Sequence, residues 1–386
     1  MELPLFLSRF AHPRAFLDAA AGIPEIAASR RVRRAAERLF GNPSSPHAEG
    51  RAARDALEAA RVSVARTLGV KPAEIIFTGG GTEAANLAIR GATHGARGER
   101  RIAVWAGEHP ATIESARRAA EERGAAVSVL PIGREGVPEP AAYAAGSPTL
   151  VAVSRVNGES GERADTRRIR QAVPRVALLF VDASQAALTE NVSPHRLAAD
   201  LLALDGPKIG GPRGVGCLVV RGATEILPLI VGGGQERGRR AGSEAPPLAA
   251  GFAAALAECQ AAAAENAERS AALGEELWRG ISAAFPDARR NVAPKLSAAH
   301  ILSVHFPDLD AAYAAAVLDS RGVAVAASAA CRAAAGEPSA AIGAAAAQSS
   351  IRFSFSPGSS IADARRALAE LPGAVHLAGR RGNPWE

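Results

Sequence analysis

Short apolar segments alternate with helical segments in the first part of the chain, from about residue 70 to residue 220. The helical patterns include GTEAANLAIRG and ATIESARRAAEERG, and six apolar segments surround them: EIIFTGG, RIAVWAGEH, AAVSVLPI, TLVAVSRVNG, VALLFVDASQ and LLALDG. Apolar runs of this length, separated by helices, are typical of strands buried on both faces of a mostly parallel sheet. The pattern therefore predicts an α/β fold, in which ligands bind at the carboxyl ends of the strands.

The pattern changes after this region. The segment VGGGQERGRRAGSEAPP has no periodicity and is rich in Gly and Arg, so we expect a loop. The Ala-rich segment from about residue 247 to 283 predicts one long helix that leads to a second domain. The strand-like segments LSVHF, VAVAAS and IRFSFS predict that this second, smaller domain is also α/β.

Polar side chains follow five of the predicted strands in succession. The segment Thr78 to Thr82 follows the first strand, and the others are followed by His109, by Asn157, by Asp182 with Gln185, and by Lys208. One or two polar strand ends are ordinary loop chemistry. Five in succession, each with a group suited to catalysis, predict one shared site.

Composition excludes several classes of protein. The net charge of +6 comes from scattered arginines and aromatic residues are only 4% of the chain, so direct nucleic-acid binding is not expected. Three cysteines are too few and too scattered for a disulfide framework or a zinc site, and no metal is predicted. Neither a membrane span nor a signal peptide is evident, so we expect a cytoplasmic protein.

Lys208 is unusual because lysine occurs only at positions 71, 208 and 295, among 45 Lys and Arg residues. A loop lysine is usually a solvated surface charge. However, an amine can lose its proton and form a Schiff base, which Arg cannot do. Asp182 is similarly open to two interpretations: a helix N-cap, or the counter-ion of a protonated heterocycle such as the pyridinium of pyridoxal phosphate.

Cys331 lies in the segment ASAACRAAAGEPS, which is rich in small residues. The simplest interpretation is a small buried hydrophobic residue. The loop-like surroundings and the adjacent Arg332 favour an accessible thiolate nucleophile instead. Cys217 and Cys259 fit the interpretation as buried residues.

An ordered set of motifs resembles the cysteine desulfurases of the aminotransferase class V group, in the branch that supplies sulfur for iron–sulfur clusters and thiolation. The motifs run nearly end to end: FLDAAAGIP, GNPSSPHAEGRAA, IIFTGGGTEAANLAI, GEHPAT, VNGESG, VDASQA, GPKIGGPRGVGCL, GGGQERGRRAGS, SAAC followed by EPS, and SSIRFSFS. The resemblance implies a fold-type I transferase that depends on pyridoxal phosphate (PLP). Its large domain, with a seven-stranded mostly parallel sheet flanked by helices, would span 16–255. Residues 1–15 and 256–386 would form the smaller α/β domain that carries the catalytic-cysteine loop.

The resemblance also implies a role for each matching residue. Lys208 would bind PLP covalently and move a proton, His109 would stack on the ring, and Cys331 would take sulfur from L-cysteine as a persulfide and release L-alanine. The other cofactor contacts would come from Asp182, Gln185, Gly81, Thr82, Asp205 and Ser243, and the substrate contacts from Asn157, Arg352 and Asn42. Because Ser243 matches a Thr that reaches the phosphate in the partner subunit, the resemblance implies a homodimer. A sulfur-acceptor protein would then receive the persulfide sulfur.

Two residues depart from the family pattern, which reads Ser-Gly-His-Lys where this chain has Asp205-Gly206-Pro207-Lys208. The family Ser and His bind the cofactor phosphate, whereas Asp205 places a carboxylate near it and Pro207 removes an imidazole. We therefore expect weaker or rearranged phosphate binding. Two alternative functions stay open from sequence: a related PLP-dependent C–S or selenocysteine lyase, or a scaffold homologue that has lost the cofactor.

Overall fold

The structure is a computed structural model that describes residues 14–95, 99–131, 137–327 and 341–379. The described residues form two compact units. The larger unit comprises Gly22–Asn157 and Arg163–Ala264, and the smaller comprises the described parts of Met1–Ala21, Gly158–Glu162 and Glu265–Glu386.

Strands in the described residues are mostly five residues long or shorter. In chain order they are β1 (Ala15–Phe16), β2 (Ile75–Thr78), β3 (Arg101–Trp105), β4 (Ala126–Leu130), β5 (Leu150–Ser154), β6 (Leu178–Asp182), β7 (Leu201–Asp205), β8 (Gly216–Val220), β9 (Arg289–Arg290), β10 (Ile301–His305), β11 (Val323–Ala324), β12 (Ala326–Ala327) and β13 (Ser350–Ser354).

Seven strands form the sheet of the larger unit, in the order β2-β8-β7-β6-β5-β3-β4. Strands β3 to β7 pair in parallel, and β8 runs antiparallel to both β7 and β2. The residues of β5, β7 and β8 are almost all buried, as the continuously apolar pattern predicted. The predicted α/β fold with a mostly parallel seven-stranded sheet is confirmed. The hydrophobic pattern predicted only six of these strands and missed β8.

Helices flank the strands of the described chain. They are α1 (Ala27–Ala36), α2 (Ala48–Leu68), α3 (Gly81–Asn86), α4 (Ala92–Gly95), α5 (Pro110–Arg123), α6 (Pro140–Ala144), α7 (Thr166–Ala172), α8 (Pro194–Leu197), α9 (Pro246–Ala261), α10 (Ala263–Ala284), α11 (Ala311–Ser320), α12 (Ala344–Gln348) and α13 (Ile361–Ala378). A π-helical turn, Leu87–Gly91, joins α3 to α4. Local sequence sets several ends: Gly69 closes α2 with φ 68°, and a capping box of Ser360 and Asp363 begins α13.

The smaller unit contains a four-stranded antiparallel sheet in the order β12-β13-β10-β9. Its core includes Phe306, Phe353 and Phe355, which pack with buried residues of α10, α11 and α13. The predicted strand VAVAAS is two short strands, because β11 pairs with β1 and β12 pairs with β13.

The prediction of one long helix from 247 to 283 is wrong, because the structure has two helices there. The helix ends at Ala261, Ala262 has non-helical angles of φ −96° and ψ 3°, and α10 begins at Ala263. No Gly or Pro marks the break, so periodicity alone could not locate it. The two halves bury their apolar residues in different units. Among the described residues no single helix is long and apolar enough to cross a membrane, although α9 and α10 together reach the length and composition as a broken pair.

Candidate active site

The carboxyl ends of the parallel strands lie side by side at one edge of the large sheet. Asp182 at the end of β6 is in register with Ser154 at the end of β5. Asp205 at the end of β7 is opposite Gly216 of β8, and Thr78 at the end of β2 is opposite the same glycine. The strand ends that carry the polar residues Thr78, Asp182 and Asp205 therefore lie at the same edge of the sheet.

A glycine-rich turn joins β2 to α3 at this edge. Gly80 has φ 151°, a backbone conformation that residues other than glycine rarely adopt. The backbone N–H of Gly79 donates to the Glu83 carboxylate at 2.7 Å, and Glu83 also forms an ion pair with Arg240 at 2.9 Å. Glu83 and Arg240 thus stabilise the turn. The N–H of Gly81 points toward the end of β7.

Asp205 accepts that N–H. The distance from Gly81 N to Asp205 Oδ1 is 3.0 Å. Burial raises the pKa of the Asp205 carboxyl above its usual range, and the nearby charge of Asp182 raises it further. The Gly81 hydrogen bond and the charges of Lys208 and His109 act in the opposite direction without cancelling the effect. Three side chains predicted from sequence, Asp182, Lys208 and His109, therefore act on the Asp205 carboxylate.

Lys208 lies in a one-turn 3₁₀ helix, Gly206–Ile209, that follows β7 directly and ends at Gly210 with φ 73°. Pro207 occupies the first turn, where a proline fits because its missing N–H is not needed there. The carbonyl of Pro207 accepts the N–H of Ile23 at 2.9 Å. The proline therefore suits the backbone locally, although it supplies no imidazole for a phosphate.

The residues after β6 form a tight turn. Asp182 Oδ1 accepts the N–H of Ser184 at 2.9 Å, and Gln185 is the first residue flanking the 3₁₀ helix Ala186–Leu188. The Asp182 carboxylate therefore orders the turn rather than capping the helix. Ser184 is only 7% exposed, and its Oγ has no hydrogen-bond partner within the described part of the chain.

His109 is the N-cap of α5, and its Nδ1 accepts the N–H of Ala111 at 3.1 Å. The neutral ring consequently carries its proton on Nε2. Sequence reasoning missed the preceding residue, Glu108, which is fully buried and accepts both the N–H of Ser154 at 2.7 Å and the Ser154 hydroxyl. A glutamate inside the motif GEHPAT was the available signal.

Three further candidates lie in the larger unit. Asn157 is buried, and its Nδ2 donates to the Gly107 carbonyl at 2.8 Å, which ties it to the segment before His109. Asn42 is exposed and its Oδ1 accepts the N–H of Ser44. Thr82 is exposed at the start of α3, and its carbonyl accepts from the Asn86 side chain.

Ser243 is exposed and lines a cavity of about 120 Å³ together with Thr78, Gly79, Arg240 and Glu244. The cavity lies within the larger unit, next to the glycine-rich turn. Its position beside that turn is compatible with a role toward phosphate, and the role itself stays a prediction.

Arg352 belongs to the smaller unit, on β13. Its Nη1 donates to the Gly158 carbonyl and its Nη2 to Asp18 Oδ1, both at 2.7 Å. Asp18 was missed as a site residue, although the motif FLDAAAGIP contains it. His300 is buried next to this group, and burial together with the Arg352 charge lowers its pKa to about 4.

The catalytic cysteine expected at position 331 lies outside the described residues. The other two cysteines are buried, as expected from sequence. Burial raises the pKa of the Cys259 thiol to about 12 and raises that of Cys217 further. Neither thiol therefore forms a thiolate at neutral pH.

Comparison with known proteins identifies the family to which this fold belongs. The model of the aminotransferase class-V family matches residues 16–366, and the chain belongs to this family. An "IscS-like cysteine desulfurase" of Mycobacterium tuberculosis is 33% identical over 382 residues, which cover 95% of this chain and 97% of the relative. Within the aminotransferase class-V family, the chain is thus similar to cysteine desulfurases. The cysteine desulfurase function predicted from sequence is confirmed by this similarity.

Solved structures agree. A NifS-like protein superposes with a TM-score of 0.85 at 26% identity, over 94% of this chain and all of the other. A structure described as SspA in complex with cysteine superposes with a TM-score of 0.74 at 27% identity, over 89% of this chain and 99% of that one. Enzymes of this class depend on PLP, so the predicted cofactor is confirmed as well.

The residues present fit PLP, with one anomaly. Lys208 offers the amine and Asp182 the carboxylate that the cofactor's aldehyde and ring nitrogen require. At the phosphate end, the buried hydroxyl of Ser184 has no partner in the described chain and lies 3.4 Å from where a Cβ on Gly81 would sit. The anomaly is Asp205, a carboxylate in a place that should attract an anion.

Proposed function

We propose that the chain desulfurates L-cysteine through Lys208 and Cys331, and that a sulfur-acceptor protein takes the product sulfur. In this reaction the Cβ–S bond of the substrate breaks and Cβ gains a proton, which yields L-alanine. The sulfur forms an S–S bond with Cys331, which becomes a persulfide. The acceptor thiol then attacks the outer sulfur and restores the Cys331 thiol.

One observation carries the proposal for the larger unit: Asp182, His109 and Lys208 follow neighbouring strands at one edge of the sheet, and the charge of each acts on the Asp205 carboxylate there. The three side chains are therefore close enough to Asp205 for their charges to act on its carboxylate. When bound, PLP supplies an electron sink that weakens bonds to the substrate Cα. An amine, a carboxylate and an imidazole are the groups that such a cofactor needs at its aldehyde, ring nitrogen and ring face.

The protein's own contribution is to hold and move protons. Lys208 is half buried, and its neutral amine would accept a proton from the substrate Cα. His109 presents its Nε2 proton because Nδ1 accepts from Ala111. Asp182 favours a protonated ring nitrogen, and Gln185 would hydrogen-bond the ring hydroxyl.

Arg352 would bind the substrate carboxylate through its planar guanidinium. Its hydrogen bonds to Asp18 and to the Gly158 carbonyl fix the orientation of that guanidinium. Asn157 and Asn42 are proposed as further substrate contacts, and Gly81, Thr82, Asp205 and Ser243 as the phosphate region.

For partners, we propose a homodimer in which Ser243 reaches the phosphate bound in the partner subunit. The exposure of Ser243 supports this arrangement, because a side chain that contacts a partner subunit lies on the surface of the single chain. We further propose a cytoplasmic enzyme, without membrane or direct nucleic-acid contact, whose acceptor serves iron–sulfur assembly or thiolation.

The test measures alanine, sulfide and protein-bound persulfide after addition of L-cysteine to the purified chain. We expect Lys208→Ala to lose PLP absorbance and alanine production together, while Lys295→Ala, an exposed lysine, retains both. Cys331→Ala should bind PLP but form no persulfide, with Cys259→Ala as the matched control. Undiminished alanine production by Cys331→Ala would contradict the persulfide mechanism.

A further inference from the structure

Asp205 and Ser184 form an arrangement that the class-V pattern does not assign. Asp205 ends β7, and Ser184 is in the turn after β6, so both side chains come from neighbouring strand ends. A Cβ built on Gly81 would lie 3.1 Å from Asp205 Cβ and 3.4 Å from Ser184 Oγ. Both side chains therefore border the same small space in front of the Gly81 backbone.

The backbone N–H of Gly81, which borders this space, already donates a hydrogen bond to Asp205. The Asp205 carboxylate accepts the Gly81 N–H at 3.0 Å, and its Oδ1 lies 3.3 Å from where a Cβ on Gly80 would sit. A phosphate oxygen that approached the Gly81 N–H would have to replace this carboxylate oxygen. It would also meet the negative charge of Asp205, which repels a phosphate at such short range.

Ser184 shows that the space is built for an additional polar group. Its hydroxyl is more than nine-tenths buried and has no hydrogen-bond partner in the described chain. A buried polar group without a partner costs stability, so such a hydroxyl indicates a missing ligand. A phosphate oxygen at this place would accept a hydrogen bond from Ser184 Oγ. The Asp205 carboxylate does not accept that hydrogen bond.

The charged groups that act on Asp205 come from three elements: Lys208 on the turn after β7, Asp182 at the end of β6, and His109 at the start of α5. Burial and Asp182 raise the pKa of Asp205, while Lys208, His109 and the Gly81 hydrogen bond lower it, and the balance is a raised pKa. Adding a phosphate would favour the neutral acid still more, because like charges disfavour ionisation. A neutral Asp205 would have an O–H to donate, as a serine at this position would.

We propose that Asp205 binds the phosphate of PLP only as the neutral acid, with Ser184 as the second side-chain donor, so that phosphate binding takes up one proton. The inference rests on the proposed function, since it places the PLP phosphate at Gly81. It adds that the negative charge of Asp205 weakens cofactor binding increasingly as the pH rises.

The experiment compares the full chain with Asp205→Asn, whose amide keeps the shape and is always neutral. Equilibrium dialysis gives the affinity for PLP, and for pyridoxal, which lacks the phosphate, between about pH 5.5 and 8.5. We expect Asp205→Asn to bind PLP more tightly than the unchanged chain at high pH, by a ratio that grows about tenfold per pH unit, because one proton is linked to binding. Pyridoxal should show no such difference.

Two further variants make the comparison specific. Ser184→Ala in the Asp205→Asn background should weaken PLP binding about tenfold and leave pyridoxal binding unchanged, because one hydrogen bond to a charged group is lost. Asp165→Asn removes an exposed carboxylate that also accepts a backbone N–H and should change neither ligand's affinity.

The outcomes separate the inference from the function. Equal PLP affinities of the unchanged chain and Asp205→Asn at every pH, with normal alanine production, would overturn this inference alone. Failure of all variants to bind PLP would overturn the proposed function and this inference together. A pH-dependent difference that appears equally with pyridoxal would also refute it, because the effect would then not involve the phosphate.

Discussion

Arg61 and Glu236 form a two-pronged ion pair inside the larger unit, with both N–O distances at 2.8 Å and side chains only 3% and 2% exposed. Glu236 Oε2 also accepts the N–H of Phe77 in β2, and the Arg61 guanidinium lies 5.0 Å from the centre of the Phe77 ring. Glu236 itself has a left-handed backbone with φ 47°. The pair therefore ties the loop that leads to Ser243 to α2 and to the strand that ends at the glycine-rich turn.

Removal of either charge should destabilise the protein strongly. Burial disfavours the charged form of Arg61, but hydrogen bonds and the charge of Glu236 outweigh it and raise the Arg61 pKa. We expect Arg61→Met or Glu236→Gln to lower the free energy of unfolding by about 3–5 kcal/mol, because each leaves a buried charge without its partner. Denaturant titration measures this loss.

The double variant provides the decisive comparison for this pair. Arg61→Met with Glu236→Gln should be less destabilised than the sum of the single variants, since no buried charge is left alone. The exposed pair Arg117 and Glu114 is the matched control, and the same substitutions there should cost less than about 1 kcal/mol. Additive losses at Arg61 and Glu236 would show that the two charges are not coupled.

Glu108 should act as a positioning residue for His109. Its carboxylate accepts the N–H and the hydroxyl of Ser154, which joins the end of β5 to the segment after β3. Glu108→Ala leaves these partly buried donors without an acceptor, so we expect a loss of about 1–2 kcal/mol in the free energy of unfolding. Alanine production should also fall, because the His109 ring is no longer held at the sheet edge.

The conservative variant distinguishes positioning from a charge effect. Glu108→Gln keeps one oxygen for the Ser154 N–H and should restore most of the stability and the activity. Activity that stays as low in Glu108→Gln as in Glu108→Ala would mean that the charge, rather than the hydrogen bonds, is what the site requires.

The sequence predicted the parts of this structure that local patterns determine. Continuous apolar runs located six of the seven sheet strands, and the polar strand ends located Asp182, His109 and Lys208. The pattern missed β8 because the short run of Gly216–Val220 follows a glycine-rich loop without a helix between. It missed the break at Ala262 because helix propensity is high on both sides.

Contacts between distant positions could not be predicted in this way. Asp205 and Gly81 are 124 residues apart in the sequence, and Glu236 and Arg61 are 175 apart. Asp205 was recognised as an unusual residue, but its acceptance of the Gly81 N–H depends on the order of strands in the sheet. The unpartnered hydroxyl of Ser184 likewise becomes evident only when its surroundings are known.

His300 should make the stability of the protein depend on pH in the acid range. It is buried, and burial together with the Arg352 charge lowers its pKa to about 4 from an ordinary value of 6.5. The folded state therefore keeps the ring neutral while the unfolded state binds a proton below pH 6.5. Stability is then lost as the pH falls from 6.5 to 4, by about 3 kcal/mol in total.

Thermal or denaturant unfolding at several pH values checks this dependence. His300→Gln does not titrate in this range, and the fall in its stability between pH 6.5 and 4 should be smaller by that amount. His195 is the control, because its ring lies exposed on α8 and His195→Gln should leave the pH profile unchanged. Parallel pH profiles for the chain and His300→Gln would contradict the assignment.

The three thiols should differ sharply in reactivity. Burial raises the pKa values of Cys217 and Cys259 so far that neither forms a thiolate near pH 8. We expect iodoacetamide to label neither in the folded protein and both in concentrated guanidinium. Mass spectrometry of the digested protein gives the labelled positions. After incubation with L-cysteine, persulfide should be found on Cys331 and on neither buried cysteine, and persulfide on Cys217 or Cys259 in the folded protein would refute both the burial argument and the role proposed for Cys331.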